Sequence, residues 1–184
     1  MNRGDSLLVV NLFGAPGSGK STGSAYIFSK LKMKGINAEL VTEFAKDKVW
    51  ENNEEVFKNQ AYIFGKQSFR LSRCKDKVDV VITDSPLLNS ALYNNDPILG
   101  YAFNEVVANV FHSYNNLNVV VERDKPYNPI GRNQTEEESD TIAKDMYDFL
   151  EQWNVKGVFT ISGSEEWYDL VVTRILKILE ASNG

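Results

Sequence analysis

One stretch constrains the fold of this chain more than any other. Residues 7–22 read Leu-Leu-Val-Val-Asn-Leu-Phe-Gly-Ala-Pro-Gly-Ser-Gly-Lys-Ser-Thr. An apolar run of strand character ends at Phe13. It opens directly into Gly14-Ala15-Pro16-Gly17-Ser18-Gly19-Lys20-Ser21, a full G-x-x-x-x-G-K-[ST] match, followed by Thr22. Several backbone N–H groups in such a loop must point inward at one anion. Glycines at 14, 17 and 19 permit the dihedrals and the close approach. Lys20 then reaches β- and γ-phosphates, the Ser21 hydroxyl sits on Mg²⁺, and the helix starting there adds its positive end. The pattern reads as a nucleotide phosphate site.

The rest of the composition fits such a site on a soluble domain. A length of 184 residues suits a single domain with a substantial core, spanning 1–184. The net charge of −5, from 25 acidic and 20 basic residues, argues against a general nucleic-acid surface. Cys74 is the one cysteine, so no internal disulfide forms, and it reads as a small helix-packing residue of a reducing compartment. No apolar run approaches the ~20 residues of a membrane span. Residues 1–6 do not read as a signal peptide. The expected location is the cytoplasm, or the host cytoplasm if the chain is phage-encoded.

Five apolar runs, Leu7–Phe13, Ala38–Thr42, Val78–Thr83, Asn118–Glu122 and Gly157–Ile161, alternate with helical patterns. That alternation predicts an α/β fold with a parallel sheet covered on both faces. A helix runs from Ser21 to about Lys34 and stops at Gly35. The second strand delivers Thr42-Glu43-Phe44-Ala45-Lys46-Asp47 to the carboxyl edge of the sheet, where ligands bind in open α/β folds. A long helix is predicted from about Asn53 to Arg73, with Phe57, Ala61, Phe64, Ser68 and Leu71 on its inner face. Gln60, Phe64 and Gln67 are also one and two turns apart, with Arg70 one turn further on. Two amides around an aromatic suit a planar base, or simply form the solvated border of the core stripe.

The third strand ends Val80-Val81-Ile82-Thr83-Asp84-Ser85-Pro86. Asp84 there either holds Mg²⁺ or its water beside Ser21, or caps the next turn. Leu87–Gly100 reads as an irregular connection. The next helix carries Phe103, Val106, Val107, Val110 and Phe111. His112, the one histidine, ends it as a packing or surface residue. After the fourth strand, Arg123-Asp124-Lys125-Pro126-Tyr127-Asn128-Pro129-Ile130-Gly131-Arg132 forms a lid over about 123–135, in which Arg123 and Arg132 would neutralise a moving phosphoryl group. The alternative is a solvated charged loop. Thr135-Glu136-Glu137-Glu138 is a capping box for a helix burying Ile142, Met146, Phe149, Leu150 and Trp153. Ser162-Gly163 forms a tight turn suited to lie against an adenine. The final helix is expected to cover the sheet with Trp167, Leu170, Val171, Ile175 and Ile178.

Together the Gly14–Thr22 loop, Glu43-Phe44-Ala45-Lys46, Ile82-Thr83-Asp84 and the arginine-bearing lid before a capped helix resemble one group of domains. These are the small P-loop kinases and AAA-type ATPase domains of the nicotinamide-riboside kinase-like group, many of them phage-encoded. The resemblance implies a P-loop NTPase fold with a five-stranded parallel sheet in the order 2-3-1-4-5. It also implies ATP and Mg²⁺ as cofactors, and an acceptor hydroxyl between the second and third strand ends and the lid. Phe64-Gly65-Lys66-Gln67 through Arg70 is similar to the glutamine-bearing helix of deoxynucleoside kinases. The chain departs from that group at Thr42-Glu43-Phe44 and Thr83-Asp84-Ser85, where Glu-Arg-Ser and Asp-Arg-Ser patterns would stand. The expected activity is transfer of the γ-phosphoryl of ATP to a hydroxyl of a nucleoside- or nucleotide-like small molecule. Glu43 is the first choice of base, and Asp84 the second. Two rivals remain: a kinase of 5-hydroxymethylpyrimidine bases in phage DNA, which makes nucleic acid the partner, and a nucleotide-dependent switch or NTPase with no acceptor. A homo-oligomer is compatible with each of them.

Overall fold

The structure is a computed structural model and describes residues 7–51, 53–132 and 134–183. Residues 1–6, read above as no signal peptide, and Asn133 of the lid lie outside the described residues.

The sheet is built around β1 (Leu8–Phe13), whose six residues are all buried. It pairs in parallel with β3 (Val80–Thr83) on one side and β4 (Asn115–Glu122) on the other. β2 (Ala38–Val41) and β5 (Phe159–Ser162) complete the order β2-β3-β1-β4-β5, as expected. Strand periodicity divides β1 between two cores. Leu8, Val10 and Leu12 face α1 (Lys20–Met33) and α7 (Glu165–Asn183). Val9 and Phe13 face α3 (Gln60–Ser72), α5 (Gly100–His112) and α6 (Glu136–Gln152). Among the described residues no helix is long and apolar enough to cross a membrane.

A polar rung runs through the second core. Asn11 Nδ2 donates to Asn116 Oδ1 at 2.9 Å and Asn118 Oδ1 at 3.1 Å, while Asn118 Nδ2 donates to the Lys156 carbonyl at 3.1 Å. Asn11 lies opposite Asn118 in the β1–β4 register. A slipped register would strand these amides without partners, at about 1–3 kcal/mol each. The rung therefore specifies which residues of β1 and β4 meet.

Helix ends follow local chemistry. After α1, Gly35 takes φ +79°, its N–H donates to Lys32 O, and Ile36 N–H donates to Leu31 O, closing a Schellman motif. At α6 both hydrogen bonds of the Thr135–Glu138 capping box form.

Several expectations need correction. The long helix over 53–73 is two pieces: a 3-10 turn, Glu54–Lys58, and then α3. Asn59 breaks it because its side chain accepts the Tyr62 N–H and caps a fresh helix start. The new start turns Ile63, Gln67 and Leu71 inward and leaves Ala61 exposed. The connection after β3 contains a short helix, α4 (Asn89–Leu92). In α7, Trp167 and Leu170 face outward at 41% and 56% exposure, while Tyr168, Val171, Val172 and Ile175 cover the sheet. Tyr168 lies at helical spacing from Val171, Val172 and Ile175, and its hydroxyl reaches the phosphate loop, as described next. His112 lies at the surface, as one of the two readings had it, with its Nε2 2.8 Å from the Trp153 carbonyl.

Candidate active site

The carboxyl edge of β1, β2 and β3 and the loop that carries Gly131, Arg132 and Gln134 border a cavity of about 460 Å³. At one end lies the loop Gly14–Gly19. Its glycines 14, 17 and 19 have φ of 137°, 88° and 100°. At Gly14 a Cβ would lie 2.4 Å from the Val121 carbonyl oxygen, so space as well as dihedral excludes any side chain. The Ser18 N–H donates to Ala15 O at 3.2 Å. Lys20 Nζ donates to Gly14 O at 2.7 Å and Ala15 O at 2.8 Å, folding the ammonium back over the loop. Burial lowers the Lys20 pKa to about 8, against the pull of the Glu43 and Asp84 carboxylates.

Distant elements brace this loop. The Tyr168 hydroxyl donates to Gly19 O at 3.1 Å, and its ring fills the place a Gly23 side chain would take, 2.2 Å from such a Cβ. Ser139 Oγ of α6 donates to Pro16 O at 2.7 Å. The Ser162-Gly163 turn packs on the Ser18 carbonyl. Gly163 also faces Asp124, whose carboxylate accepts the Ser162 hydroxyl at 2.6 Å.

The opposite wall is assembled from three segments. Glu43 sits at the N-cap of α2 (Phe44–Trp50), and its N–H donates to Asp84 Oδ1 at 3.1 Å. Burial raises the Glu43 carboxyl above the ordinary carboxylate range. Asp84 adds to this, and Lys20, Lys46 and Arg132 oppose it. Gln67 accepts the Phe44 N–H at 3.0 Å and donates to Thr42 O and Ser85 O, both at 3.3 Å. It thus stitches the carboxyl ends of β2 and β3 together while also lining the cavity. Gln60, buried, donates to Phe57 O at 3.2 Å.

Of the residues singled out in the sequence, Gly14, Pro16, Gly17, Gly19, Lys20, Ser21, Thr22, Glu43, Gln60, Gln67 and Arg132 line the cavity. Ala15 and Ser18 are buried in the loop itself. Asp84 is buried one step behind Glu43. Three are not brought to the cavity. Phe64 points into the core and meets Phe103 edge-on, at 5.8 Å between ring centroids. Arg70 is committed to Asp47 at 2.9 Å and Thr42 O at 3.1 Å. Arg123 is committed to Asp140 and Glu136 of α6. Sequence reasoning passed over Asn89, Ser90, Tyr93 and Asn95, which line the far wall. Their polar spacing directly after a carboxyl-edge aspartate was the available signal. Burial raises the Tyr93 hydroxyl pKa well above its ordinary value.

The loop fits the phosphates of a nucleotide. Its glycines hold left-handed dihedrals, their added Cβ atoms would press on Val121, Tyr127 and Tyr168, and the buried Ser18 Oγ has no partner among the described residues. For a hard cation the available donors are oxygens, Ser21 and Asp84. No group of three or more His, Cys, Asp or Glu side chains converges among the described residues. That set suits Mg²⁺, which takes one or two protein oxygens and fills its remaining positions with phosphate and water.

A family model described as an AAA domain matches residues 9–166. No curated protein sequence matches the chain. Among solved structures, the chain is similar to deoxyadenosine kinase from M. mycoides with bound dATP. That likeness has 22% identity and a TM-score of 0.56, and covers 91% of this chain and 98% of the kinase. The same enzyme with products dCMP and a flexible dCDP bound gives 22% identity and a TM-score of 0.55, over 94% and 99% of the two chains. At this identity the likeness speaks for the fold. With the five-stranded order, the glycine cradle and the match over 9–166 in agreement, the chain belongs to the AAA domain family and carries the P-loop nucleotide-binding fold.

Proposed function

We propose that the protein is a single-domain kinase that moves the γ-phosphoryl group of ATP onto a hydroxyl of a neutral or phosphorylated nucleoside-like molecule. The observation that carries this reading is the pairing across one cavity. Lys20 and the glycine loop form one end, and the half-buried Glu43, held through its backbone by Asp84, faces them. Beyond Glu43 the cavity continues along Gln60, Asn89, Ser90 and Tyr93, room that a plain NTPase has no use for. The buried Asn89 Oδ1 has no partner among the described residues, and so offers an acceptor to a ligand. The dATP, dCMP and dCDP named for the similar kinase make a deoxynucleoside a first candidate.

In this reading the loop amides and Lys20 hold the β- and γ-phosphates, and Ser21 and Asp84 are the residues that would hold Mg²⁺. That ion, when bound, would neutralise charge on the phosphates. Glu43 orients the acceptor hydroxyl and takes its proton as the new O–P bond forms and the bond to ADP breaks. A carboxyl raised by burial is matched to that task. Asp84 is the alternative base. Arg132 reaches in from the lid to offset charge on the moving group.

The test is transfer from γ-labelled ATP to nucleosides, nicotinamide riboside, nucleoside monophosphates and hydroxymethylpyrimidine-containing DNA, with products separated by mass. One labelled small acceptor is the expected result. Label on DNA would make the hydroxymethylpyrimidine reading correct, and free phosphate alone would point to a switch or NTPase. Glu43→Gln should cut turnover at least ~100-fold, as loss of a general base does. It should leave ATP affinity within about threefold, because Glu43 is no part of the phosphate loop. Near-normal turnover in that variant would remove Glu43 from the role of base.

A further inference from the structure

The two lid arginines have different surroundings. Arg123 is anchored: its Nη2 pairs with Asp140 and lies 3.6 Å from Glu136 Oε1, both on α6. Arg132 has no carboxylate in ion-pair distance among the described residues. Its Nε is buried and unpartnered, and its side chain lines the cavity. Such a cation needs something else to hold it in place.

Tyr127 occupies that position. Its ring centroid is 5.6 Å from the Arg132 guanidinium carbon and 5.4 Å from that of Arg123. The ring also rests on the phosphate loop. A side chain at Gly17 would meet Tyr127 Cδ2 at 3.1 Å and Arg132 Nε at 3.6 Å. On the far side of Arg132, the Tyr127 hydroxyl donates to the Gln134 carbonyl and ties the lid back on itself.

We propose that Tyr127 is a positioning residue: braced by the anchored Arg123 and by Gly17, its ring holds the Arg132 guanidinium over the phosphate cradle. The chemistry favours an aromatic for this task. A carboxylate would also restrain Arg132, but it would cancel the charge and occupy the N–H donors that a phosphoryl group needs. A ring restrains the cation through its face and leaves those donors free. This rests on the kinase reading above, since an arginine held ready for charge has value where a phosphoryl group passes.

The experiment compares binding of MgADP alone with MgADP plus aluminium fluoride, a mimic of the phosphoryl group in transit. The variants are Tyr127→Leu, Tyr127→Phe, Arg132→Ala and the Leu/Ala double variant. Tyr127→Leu and Arg132→Ala should each reduce the affinity gained from aluminium fluoride by roughly tenfold, and Tyr127→Leu should keep MgADP affinity within about threefold. The double variant should lose no more than Arg132→Ala, since both changes remove one interaction. Tyr127→Phe, which keeps the ring, should keep most of the gain. Additive losses in the double variant would overturn the proposal. So would a Tyr127→Leu protein whose MgADP affinity and melting temperature fall in step with the aluminium fluoride gain. A wild-type protein that gains nothing from aluminium fluoride overturns the kinase reading and the proposal together. A wild-type gain that Tyr127→Leu leaves intact overturns the proposal alone.

Discussion

The two ends of the cavity are built in opposite ways. The phosphate end is one continuous segment, Gly14–Thr22, whose backbone conformation follows from its own glycines. The opposite end is composite. Glu43 comes from the β2–α2 junction, Gln60 and Gln67 from α3, and Asn89 and Tyr93 from the region of α4. At the first end backbone atoms shape the site, the Lys20 side chain joins them, and side chains from distant elements brace it from outside. At the second, side chains make the site and also hold its backbone in place, as Gln67 does at Phe44, Thr42 and Ser85. The phosphate end should therefore tolerate almost no change in backbone space. The opposite end should lose stability and ligand specificity together.

The largest test of that contrast is Gly14→Ala. A Cβ 2.4 Å from the Val121 carbonyl forces β1 and β4 apart at the loop. Nucleotide affinity measured by calorimetry should drop at least ~100-fold, about 2.7 kcal/mol. Normal ADP binding would break the comparison at its first term. Next is Gln67→Leu, which leaves the buried Phe44 N–H without an acceptor. Chemical denaturation should show a loss of about 2 kcal/mol, within the range for an orphaned buried donor, while ADP affinity stays within about threefold. A large loss of ADP affinity would mean that the two ends are not separable.

A smaller effect comes from pH. Lys20 titrates at about 8 in the folded chain against 10.5 ordinarily, so its charge is lost first in the native state. Between those values the unfolded chain binds the extra proton, and the contribution of this group to stability rises with pH. Phosphate binding needs the charged form, so ADP affinity should fall above pH 8, by up to about tenfold per unit. Lys20→Arg should abolish that slope in a titration series. The smallest effect belongs to Gly35→Ala. Gly35 shares the left-handed backbone of the loop glycines, but nothing lies within 4 Å of its added Cβ. Melting should report a cost of about 1 kcal/mol from backbone conformation alone, with ADP binding untouched.

The same contrast decides what was legible in the sequence. The loop and the caps at Gly35 and Thr135 were readable because short-range chemistry sets them, while the sheet order followed from the family resemblance. The opposite wall was readable only in part. Gln60, Gln67 and Glu43 do line the cavity. The apolar stripe drawn through Phe57 and Ala61 failed because Asn59, a polar residue inside a helical pattern, restarts the helix and rotates its face. Phe64 and Arg70 share a helical neighbourhood with Gln67, yet one turns into the core and the other pairs with Asp47. Arg123 and Arg132 looked equivalent in the sequence. Only the arrival of Glu136 and Asp140 from α6 distinguishes them. Tyr168 was hidden among apolar neighbours in α7, and its inward turn depends on the small residues Gly19 and Gly23 far upstream.

The hydrogen bond from Tyr168 to Gly19 has a consequence in time. Its partners are 149 residues apart, which at synthesis rates of about 5–20 residues per second is a wait of roughly 7–30 s. β1, though made early, also pairs only with strands made later, β3 and β4. The most recognisable segment of the chain is thus among the last to acquire its finished shape. A nascent chain lacking α7 displays the whole motif without the brace behind it, so nucleotide capture by ribosome-bound chains would mark the moment the last helix docks.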